Sequence, residues 1–415
     1  MKLKMLKFTL TQVLMWQKIK NSYHLLQAAV SAVFFNFPSN HITIIGVTGT
    51  DGKTTTVHMI YDILKSAGQK VSMVSSIYAS IGSKTYDTGL HITTPSAWQI
   101  QRLLRKAVDS GHKYFVLETT SHGLDQNRLA FTKIELAVLT NITHDHLDYH
   151  KNWKNYANAK IKLLKIAKKA IINVDDEKSY DFAIKKLKVA PITYSIGKKS
   201  DFNLRNLDLK LKIQGVYNLS NALAAAAATA TLGISKPKIK KALLAFAGAK
   251  GRMDKVDLKQ KFDIYIDFAH TPNALQQALF TLKNQLDGRT TARLIAVFGA
   301  ASERDIQKRL LMGAVADQYA DVIFLTSEDP RNEDPLRITS QIAKGIKNKK
   351  NGRDLFIIPD RAQAINYAVE IAKPGDIVVL FGKGHEKSMA IKGKETPWDE
   401  YEAVRLAVRR KNAKK

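Results

Sequence analysis

A glycine loop between a predicted strand and a predicted helix limits the fold of this sequence more than any other feature. The segment GVTGTDGKTTT, residues 46–56, follows the β-branched run HITII and leads into VHMIYDILKSAG. Strand, loop and helix in this order form a phosphate-binding turn, in which backbone N–H groups face phosphate oxygens. Counted from Gly46, the strict pattern G-x-x-x-x-G-K-[ST] has one residue too many, so the loop is the variant G-T-x-G-K-T. We expect Lys53 to reach the β- and γ-phosphates and Thr54 to bind Mg²⁺.

The remaining pattern predicts an α/β fold. From Ile42 onward, short β-branched runs such as KYFVLET, ELAVLTNI and KAIINV alternate with amphipathic segments such as SAWQIQRLLRKAVDSG and WKNYANAKIKLLKIAKKA. This alternation predicts a mostly parallel sheet covered by helices. A second α/β set follows Lys250. We therefore predict an N-terminal extension at residues 1–41, a nucleotide-binding domain at 42–250 and a Rossmann-like C-terminal domain at 251–415.

The charge of the chain permits two interpretations. The sequence has 65 Lys and Arg against 37 Asp and Glu, a formal net charge of +28, and no cysteine. The excess of basic residues indicates either a polyanionic partner or a lysine-rich surface around a site for phosphorylated substrates. Because basic and aromatic residues do not alternate as in a stacking surface for nucleic acid, we favour the second and expect no specific nucleic-acid partner. The absence of cysteine excludes a disulfide framework and thiolate metal sites.

An apolar segment lies near the N-terminus. The run HLLQAAVSAVFFNFP stays apolar for about 13 residues, short of the ~20 that a membrane span needs. It predicts a buried helix or, together with the basic residues before it, an interfacial helix in weak peripheral contact with an anionic membrane.

Polar residues that could bind a metal or transfer a proton follow several predicted strands. Glu118 ends one strand, beside the glycine loop if the sheet is parallel, and could hold Mg²⁺ there. The segment THDHLDYH concentrates imidazoles and carboxylates, which indicates a metal site, an acid–base site or only a polar loop. Asp267, the segment TSEDPRNEDP and the segment LFGKGHE follow strands of the second α/β set. Together these residues indicate a cleft at the carboxyl ends of the strands.

The order of these motifs resembles the Mur ligase family. The chain carries G-T-x-G-K-T-T, T-N-x-x-x-D-H-L-D-Y-H, N-x-x-N-A-L-A-A, G-R-M, D-x-A-H-T-P and G-K-G-H-E in the family's order, over about residues 42 to 405. The segments HITTP, SHGLDQNR and GKGHE are most similar to the type that adds the third amino acid to UDP-N-acetylmuramoyl-L-alanyl-D-glutamate. The resemblance implies an ATP-dependent, Mg²⁺-requiring amide ligase of peptidoglycan precursor synthesis, cytoplasmic and monomeric. It implies an acyl phosphate that the amino group of a diamino acid attacks.

The resemblance also implies roles for individual residues. The catalytic set is Lys53, Glu118, His146 and Lys160. Thr54, Glu118, His146 and Lys160 would be the metal ligands, with Lys160 carbamylated to N6-carboxylysine; by residue type alone, Lys160 would be a solvated helix lysine. ATP would contact Gly49, Thr50, Asp51, Gly52, Lys53, Thr54, Thr55, Asn218, Asn221, Arg252 and Asp267. The muramoyl dipeptide and the amino acid would contact Thr93, Thr94, Thr120, Gln126, Arg128, Arg304, Glu328, Asp329, Arg331, Gly382 and Glu386.

Two departures from the family pattern bear on the substrates. The diaminopimelate motif D-N-P-R is replaced by Glu328-Asp329-Pro330-Arg331. The acid at Asp329 would favour the ammonium of lysine, whereas Arg331 would favour a distal carboxylate, and we expect meso-diaminopimelate. Only 41 residues precede Ile42, where the family carries a uridine-diphosphate-binding domain of ~100 residues. We therefore expect reduced recognition of uridine, or an acceptor with another anchor.

Three alternatives remain from the sequence. The same reaction could use L-lysine, the enzyme could be a ligase of the cyanophycin or folate type, or the chain could be a nucleotide-binding regulatory module without catalysis.

Overall fold

The computed structural model describes residues 20–87, 93–289, 291–302 and 305–414. The chain divides into two compact units. The first contains the chain as far as Ile142, together with Lys154–Lys212 and Leu219–Phe246, and the second contains Thr143–Trp153, Ile213–Asn218 and Ala247–Lys415. Arg304 and the N-terminal residues 1–19, which carry predictions above, lie outside the described residues.

The first unit is built on a mostly parallel sheet. Within the described residues its nine strands have the order β4-β3-β2-β5-β1-β6-β7-β8-β9. The strands are β1 (Thr43–Thr48), β2 (Val71–Val74), β3 (Ala79–Ile81), β4 (Lys84–Tyr86), β5 (Tyr114–Glu118), β6 (Ile134–Leu139), β7 (Ala167–Asn173), β8 (Ile192–Ser195) and β9 (Phe202–Asn203). Only β3 and β4 run antiparallel to their neighbours. The central strand β1 pairs in parallel with β5 and β6, so the carboxyl ends of these three strands meet at one edge.

Helices cover this sheet. They are α1 (20–34), α2 (Lys53–Ser66), α3 (Ala97–Asp109), α4 (Ser121–Asp125), α6 (Trp153–Ile166), α7 (Glu177–Ile184), α8 (Leu204–Leu207), α9 (Val216–Thr231) and α10 (Lys236–Ala245), with a 3₁₀ turn at Pro38–Asn40. Ser96 and Gln99 form a capping box at the start of α3. Six alanines of α9, Ala222 and Ala224 to Ala228, are fully buried because small side chains allow a helix to pack closely. Among the described residues, no helix is both long and apolar enough to cross a membrane.

The second unit has its own sheet and core. As far as the structure describes it, six strands follow the order β10-β11-β15-β12-β13-β14, and only β10 is antiparallel. The strands are β10 (Asp254–Lys255), β11 (Asp263–Asp267), β12 (Leu294–Phe298), β13 (Val322–Leu325), β14 (Leu355–Ile357), β15 (Ile377–Phe381) and the separate hairpin β16 (Ser388–Ile391) and β17 (Lys394–Pro397). The helices are α5 (Leu147–His150), α11 (Pro272–Asn284), α12 (Gln307–Tyr319), α13 (Pro335–Ala343), α14 (Arg361–Ile371) and α15 (Glu400–Ala413). Two apolar clusters, both containing side chains of these strands, form its core.

The α/β class predicted from the sequence is confirmed, and one predicted boundary is wrong. The segment WKNYANAKIKLLKIAKKA was predicted as a single helix, but α6 ends at Ile166 and β7 begins at Ala167. The reason is tertiary, because residues 167–173 pair in parallel with β6 and these ladder hydrogen bonds override the helical propensity of Ala and Lys.

Candidate active site

The glycine loop joins β1 to α2, as the sequence predicts. Gly52 precedes α2 with a φ of +82°, a conformation that favours glycine. A Cβ at Gly52 would lie 2.2 Å from Asn221 Oδ1, so any side chain there would collide with Asn221. The structure thus places Asn221, one of the residues expected to contact ATP, directly against the loop.

The end of β6 fixes the conformation of this loop. Asn141 Oδ1 accepts a hydrogen bond of 2.9 Å from the Asp51 N–H, and the Thr140 hydroxyl donates one of 2.6 Å to the Asp51 carbonyl. Lys53 Nζ donates to the Thr50 carbonyl at 2.8 Å, so the ammonium lies back over the loop. The loop is thereby preformed, and its backbone donors need little reorganisation to receive phosphate.

Thr54 and Glu118 meet beside the loop. Glu118 ends β5, next to Val47 of β1 in the parallel ladder, and its side chain is buried. The Thr54 hydroxyl lies 3.0 Å from Glu118 Oε1, while the Ser76 N–H donates to Oε2 at 2.8 Å. The carboxylate is therefore held in a fixed orientation with a hydroxyl oxygen beside it. Mg²⁺ favours such a small set of hard oxygen ligands, completed by water and phosphate.

Lys160 is buried, which contradicts the solvated helix lysine that its residue type alone predicts. Its side chain lies on α6 with 1% exposure. The ammonium donates a 2.6 Å hydrogen bond to the Gly49 carbonyl and lies 4.5 Å from the centroid of the Tyr156 ring. Tyr156 in turn shares a 3.0 Å hydrogen bond with the Thr50 hydroxyl. The buried amine of Lys160 therefore lies against Gly49 and Thr50 of the glycine loop, which we expect to contact ATP.

A hydrogen-bonded chain runs from Glu118 to the residues expected to hold the acceptor. The buried Thr94 hydroxyl donates to the Glu118 carbonyl at 3.3 Å and accepts from the Thr120 N–H at 2.8 Å. Arg128 donates to the Thr94 carbonyl and, through Nε, to Gln126 Oε1 at 2.9 Å. Four predicted residues, at most 34 positions apart in sequence, thus form one cluster beside Glu118, and Thr93 adjoins it in sequence.

In the second unit, the histidine-rich segment lies at α5. His146 precedes α5 with a φ of +54°, which is strained for a residue with a Cβ. His146 lies 3.2 Å from Asp145, and His144 lies 2.7 Å from Asp305. Over the described part of the chain, no group of three His, Cys, Asp or Glu side chains is arranged to hold a metal ion. Asp145 and Asp305 thus lie beside two of its histidines, and the role of His146 as a metal ligand stays a prediction.

Asp267 organises the backbone around Arg252. Asp267 ends β11, and its two oxygens accept from the N–H groups of Ala269 and Met253, each at 2.6 Å. The Arg252 guanidinium lies 4.5 Å from the centroid of the Phe268 ring. Asn218, at the start of α9, donates to the Gln214 carbonyl at 2.6 Å. Asp267 thus binds the backbone directly after Arg252, and the shared role of the two residues with ATP stays a prediction.

The motif at the amino-acid side contains a buried ion-pair network. Lys383 is fully buried and donates to Asp329 Oδ1 at 2.9 Å and to Glu386 Oε2 at 2.5 Å. Asp329 Oδ1 also accepts from the Ala390 N–H at 3.0 Å. Burial disfavours the charge on Lys383, but the carboxylates of Glu386 and Asp329 more than compensate, so the pKa of Lys383 is raised. Lys383 therefore stays a cation between two carboxylates.

Glu328 lies next to this network with one oxygen unsatisfied. Its Oε2 is buried and has no hydrogen-bond partner among the described residues. Burial raises the pKa of Glu328, and the Asp329 carboxylate adds to this, against the opposing effect of Lys308 and Lys383. Gly382, with a φ of +102°, leaves space here, because a Cβ would lie 2.9 Å from Glu328 Oε2. The role of Glu328 towards the amino acid stays a prediction.

Arg331 adopts a backbone conformation that is rare for a residue with a Cβ. Its φ is +47°. Two backbone hydrogen bonds hold this strained conformation: the Arg331 N–H donates to the Ala390 carbonyl at 2.8 Å, and the Arg331 carbonyl accepts from the Lys392 N–H at 2.6 Å. Strained residues held in this way cluster at binding sites.

Four residues that support the candidate site residues of their own unit carried little signal in the sequence. Ser76 and Tyr156 stand outside every motif, whereas Asn141 and Lys383 lie within T-N-x-x-x-D-H-L-D-Y-H and G-K-G-H-E without being selected as site residues. Their roles depend on contacts with residues far away in the sequence, so a motif could mark only the last two.

Comparison with known proteins identifies similar domains and similar whole chains. The model of the Mur ligase middle domain matches residues 47–229, and that of the Mur ligase glutamate ligase domain matches residues 251–384. UDP-N-acetylmuramyl-tripeptide synthetase of Borreliella afzelii (strain PKo) is 39% identical over 407 residues, which cover 91% of this chain and 79% of that protein. UDP-N-acetylmuramoyl-L-alanyl-D-glutamate--2,6-diaminopimelate ligase of Caldanaerobacter subterraneus subsp. tengcongensis is 38% identical over 397 residues, or 91% of this chain and 80% of that protein.

Solved structures show the same similarity. A structure of UDP-N-acetylmuramoyl-L-alanyl-D-glutamate--2,6-diaminopimelate ligase aligns with a TM-score of 0.58 and 32% identity, over 89% of this chain and 79% of that one. A structure of E. coli FolC in complex with DHPP and ADP aligns with a TM-score of 0.66 but 19% identity, over 93% of this chain and 92% of that one, and shows a similarity of fold alone.

Proposed function

The chain belongs to the Mur ligase family, and from that premise we propose that it is an ATP-dependent ligase of peptidoglycan precursor synthesis. The proposed reaction adds meso-diaminopimelate to UDP-N-acetylmuramoyl-L-alanyl-D-glutamate. The observation that supports it most is the Thr54–Glu118 pair at the glycine loop, with the acceptor cluster of Thr94, Thr120 and Arg128 hydrogen-bonded to the same strand end.

The proposed chemistry proceeds in two steps. A carboxylate oxygen of the D-glutamyl residue attacks the γ-phosphorus of ATP, ADP leaves, and an acyl phosphate forms. The neutral amino group of the incoming amino acid then attacks the acyl carbon, phosphate leaves with the C–O electron pair, and the amine loses a proton as the amide forms. Both steps bring negatively charged groups together, so fixed positive charge and alignment provide the catalysis.

The residues of the first unit suit the first step. The Lys53 ammonium, which lies over the loop, would hold the β- and γ-phosphates, and the loop N–H groups would align them. The buried carboxylate of Glu118 and the hydroxyl of Thr54 fit Mg²⁺. When bound, Mg²⁺ would offset charge on the phosphate oxygens. Thr94, Thr120 and Arg128 would orient the acceptor carboxylate.

Lys160 supports the proposal in a different way. A buried lysine loses its charge readily, and a neutral amine can add CO₂ to form a carbamate. We propose N6-carboxylysine at Lys160, which would turn a buried cation into an anion near the bound metal. Its neighbours Gly49 and Tyr156 hold the amine beside the loop.

Release of ADP tests the proposed function. Purified protein with ATP, Mg²⁺ and the UDP-muramoyl dipeptide receives either meso-diaminopimelate or L-lysine, with and without added bicarbonate, and the product is identified by mass spectrometry. We expect turnover with meso-diaminopimelate and a higher rate with bicarbonate. ATP binding without turnover on either amino acid would contradict the proposed reaction, and indifference to bicarbonate in CO₂-depleted buffer would contradict the carbamate.

The contacts of Asp329 bear on the choice of amino acid. The charge of Asp329 is compensated by the buried Lys383 and its Oδ1 also accepts a backbone N–H. It therefore offers little free negative charge to the ammonium of L-lysine. The guanidinium of Arg331 is of the residue type whose two parallel N–H donors suit a distal carboxylate. This favours meso-diaminopimelate despite the acid in the motif.

We therefore expect Asp329→Asn to change the ratio of kcat/KM for the two amino acids by less than about threefold, an energy difference of ~0.7 kcal/mol. Arg331→Ala is the matched comparison and should lower turnover with meso-diaminopimelate by at least about tenfold, because the carboxylate loses a charge-assisted pair. Initial rates of ADP release over a series of amino-acid concentrations measure both. An Asp329→Asn enzyme that shifts by more than about tenfold towards meso-diaminopimelate would show that Asp329 selects the substrate directly.

A further inference from the structure

One face of α1 exposes a continuous apolar stripe, here called the α1 apolar face. Its members are Tyr23, Leu26, Val30, Val33 and Phe34, each between 53% and 67% exposed. Their spacing of three, four, three and one places them on one side of a helix. Of the 21 large apolar side chains exposed among the described residues, seven lie between positions 23 and 37. Such a concentration indicates an interaction surface and not scattered surface residues.

The opposite side of α1 packs into the first unit, and this packing keeps the α1 apolar face exposed. Ala28, Ser31 and Ala32 are fully buried in the first unit. Just after the helix, the ring of Phe35 lies 5.0 Å from the ring of Trp98 on α3. The helix therefore cannot bury the stripe by rotating about its axis without exposing its own packed side.

The stretch of sequence that contains α1 carries charged side chains of one sign. No acidic residue precedes Asp51, whereas that stretch carries five lysines, at positions 2, 4, 7, 18 and 20. Lys20 is exposed on α1 itself, and the whole chain has a net charge of +28. An apolar stripe within a cationic, acid-free segment complements a surface that is apolar beneath a layer of negative charge.

We propose that the α1 apolar face binds the surface of a lipid bilayer that contains anionic headgroups. The described part of the helix, residues 20–34, is about 22 Å long and is packed along its other side, so we propose that it lies along the interface. A second copy of this chain fits less well, because the same contact would bring two acid-free segments and two charges of +28 together.

Flotation with lipid vesicles tests this binding. The full-length protein is mixed with vesicles of phosphatidylcholine alone or with an equal part of phosphatidylglycerol, and the fraction that floats is measured at low and high NaCl. We expect binding to the phosphatidylglycerol vesicles that weakens with salt. The triple variant Leu26→Gln, Val30→Gln and Val33→Gln should bind at least about tenfold more weakly, since it removes three inserted apolar side chains.

A matched variant controls for general surface polarity. Val189, Leu244 and Leu336 are 70%, 49% and 53% exposed, lie away from α1 in sequence and can be replaced by Gln in the same way. This control should float like the unaltered protein, and both variants should keep the circular dichroism and thermal unfolding of the unaltered protein. Equal flotation of both variants would overturn the proposal, as would absence of flotation of the unaltered protein. A dimer in light scattering that only the α1 variant loses would assign the face to a second copy and would also overturn it.

Discussion

Replacing Lys53 with alanine should lower kcat/KM for ATP-dependent ligation by about 10³-fold. The reason lies in the loop, where Lys53 Nζ donates to the Thr50 carbonyl at 2.8 Å and so lies directly over the backbone that would receive the phosphates. Without this cation, the charge that builds up as the γ-phosphoryl group moves to a carboxylate has one fixed partner fewer. Steady-state ADP release, with ATP and the muramoyl dipeptide varied in turn, measures the effect.

The matched control for Lys53 is Lys65→Ala, on the last turn of the same helix. Lys65 lies 5.5 Å from the centroid of the Tyr61 ring, far along α2 from the loop, and its loss should leave the rate within about twofold. Lys53→Arg should remain impaired, because a planar guanidinium does not replace a compact ammonium. A Lys53→Ala enzyme that keeps more than about a tenth of the activity would show that the loop holds ATP without this residue.

Replacing Lys383 with methionine should reduce the free energy of unfolding of the second unit by about 3–5 kcal/mol. The fully buried ammonium compensates the Asp329 and Glu386 carboxylates, and its removal leaves them without their cation, beside the buried Glu328. Urea unfolding followed by the fluorescence of Trp398, which lies in the same unit, measures the change. The loss should shrink towards pH 4, because the pKa of the neighbouring Glu328 carboxyl is raised by burial, and a carboxyl with a raised folded-state pKa destabilises the fold only at pH values above its unfolded pKa.

Two further variants separate charge compensation from packing. Adding Asp329→Leu to Lys383→Met removes one uncompensated carboxylate and should recover at least a third of the lost stability. Lys387→Met, at an exposed position four residues on, should change stability by less than about 0.5 kcal/mol. If Lys383→Met lowers the free energy of unfolding by less than about 1 kcal/mol, the ion-pair network does not stabilise the unit. The contacts of Asp329 would then no longer support meso-diaminopimelate as the substrate.

Much of the first unit's site could be predicted from the sequence, for a geometric reason. Parallel strands bring their carboxyl ends to one edge, so a glycine loop after β1 and an acid at the end of β5 must be neighbours. The structure places Thr54 and Glu118 3.0 Å apart, as this rule requires. The N-terminal run HLLQAAVSAVFFNFP, by contrast, did not decide between a buried helix and an interfacial helix. In the structure, α1 is buried on one side and exposed on the other.

The sequence by itself determined the α/β class, the phosphate-binding loop and the family, because these depend on local periodicity and on motifs that are contiguous in the chain. Only the tertiary structure decided the environment of the charged groups. Lys160 meets Gly49 across 111 positions, and Lys383 meets Asp329 across 54. The effect of a charged lysine or aspartate depends on the opposite charge that compensates it, and burial determines how strongly the two charges interact. Such partners are brought together by packing, which the linear order of the residues does not state.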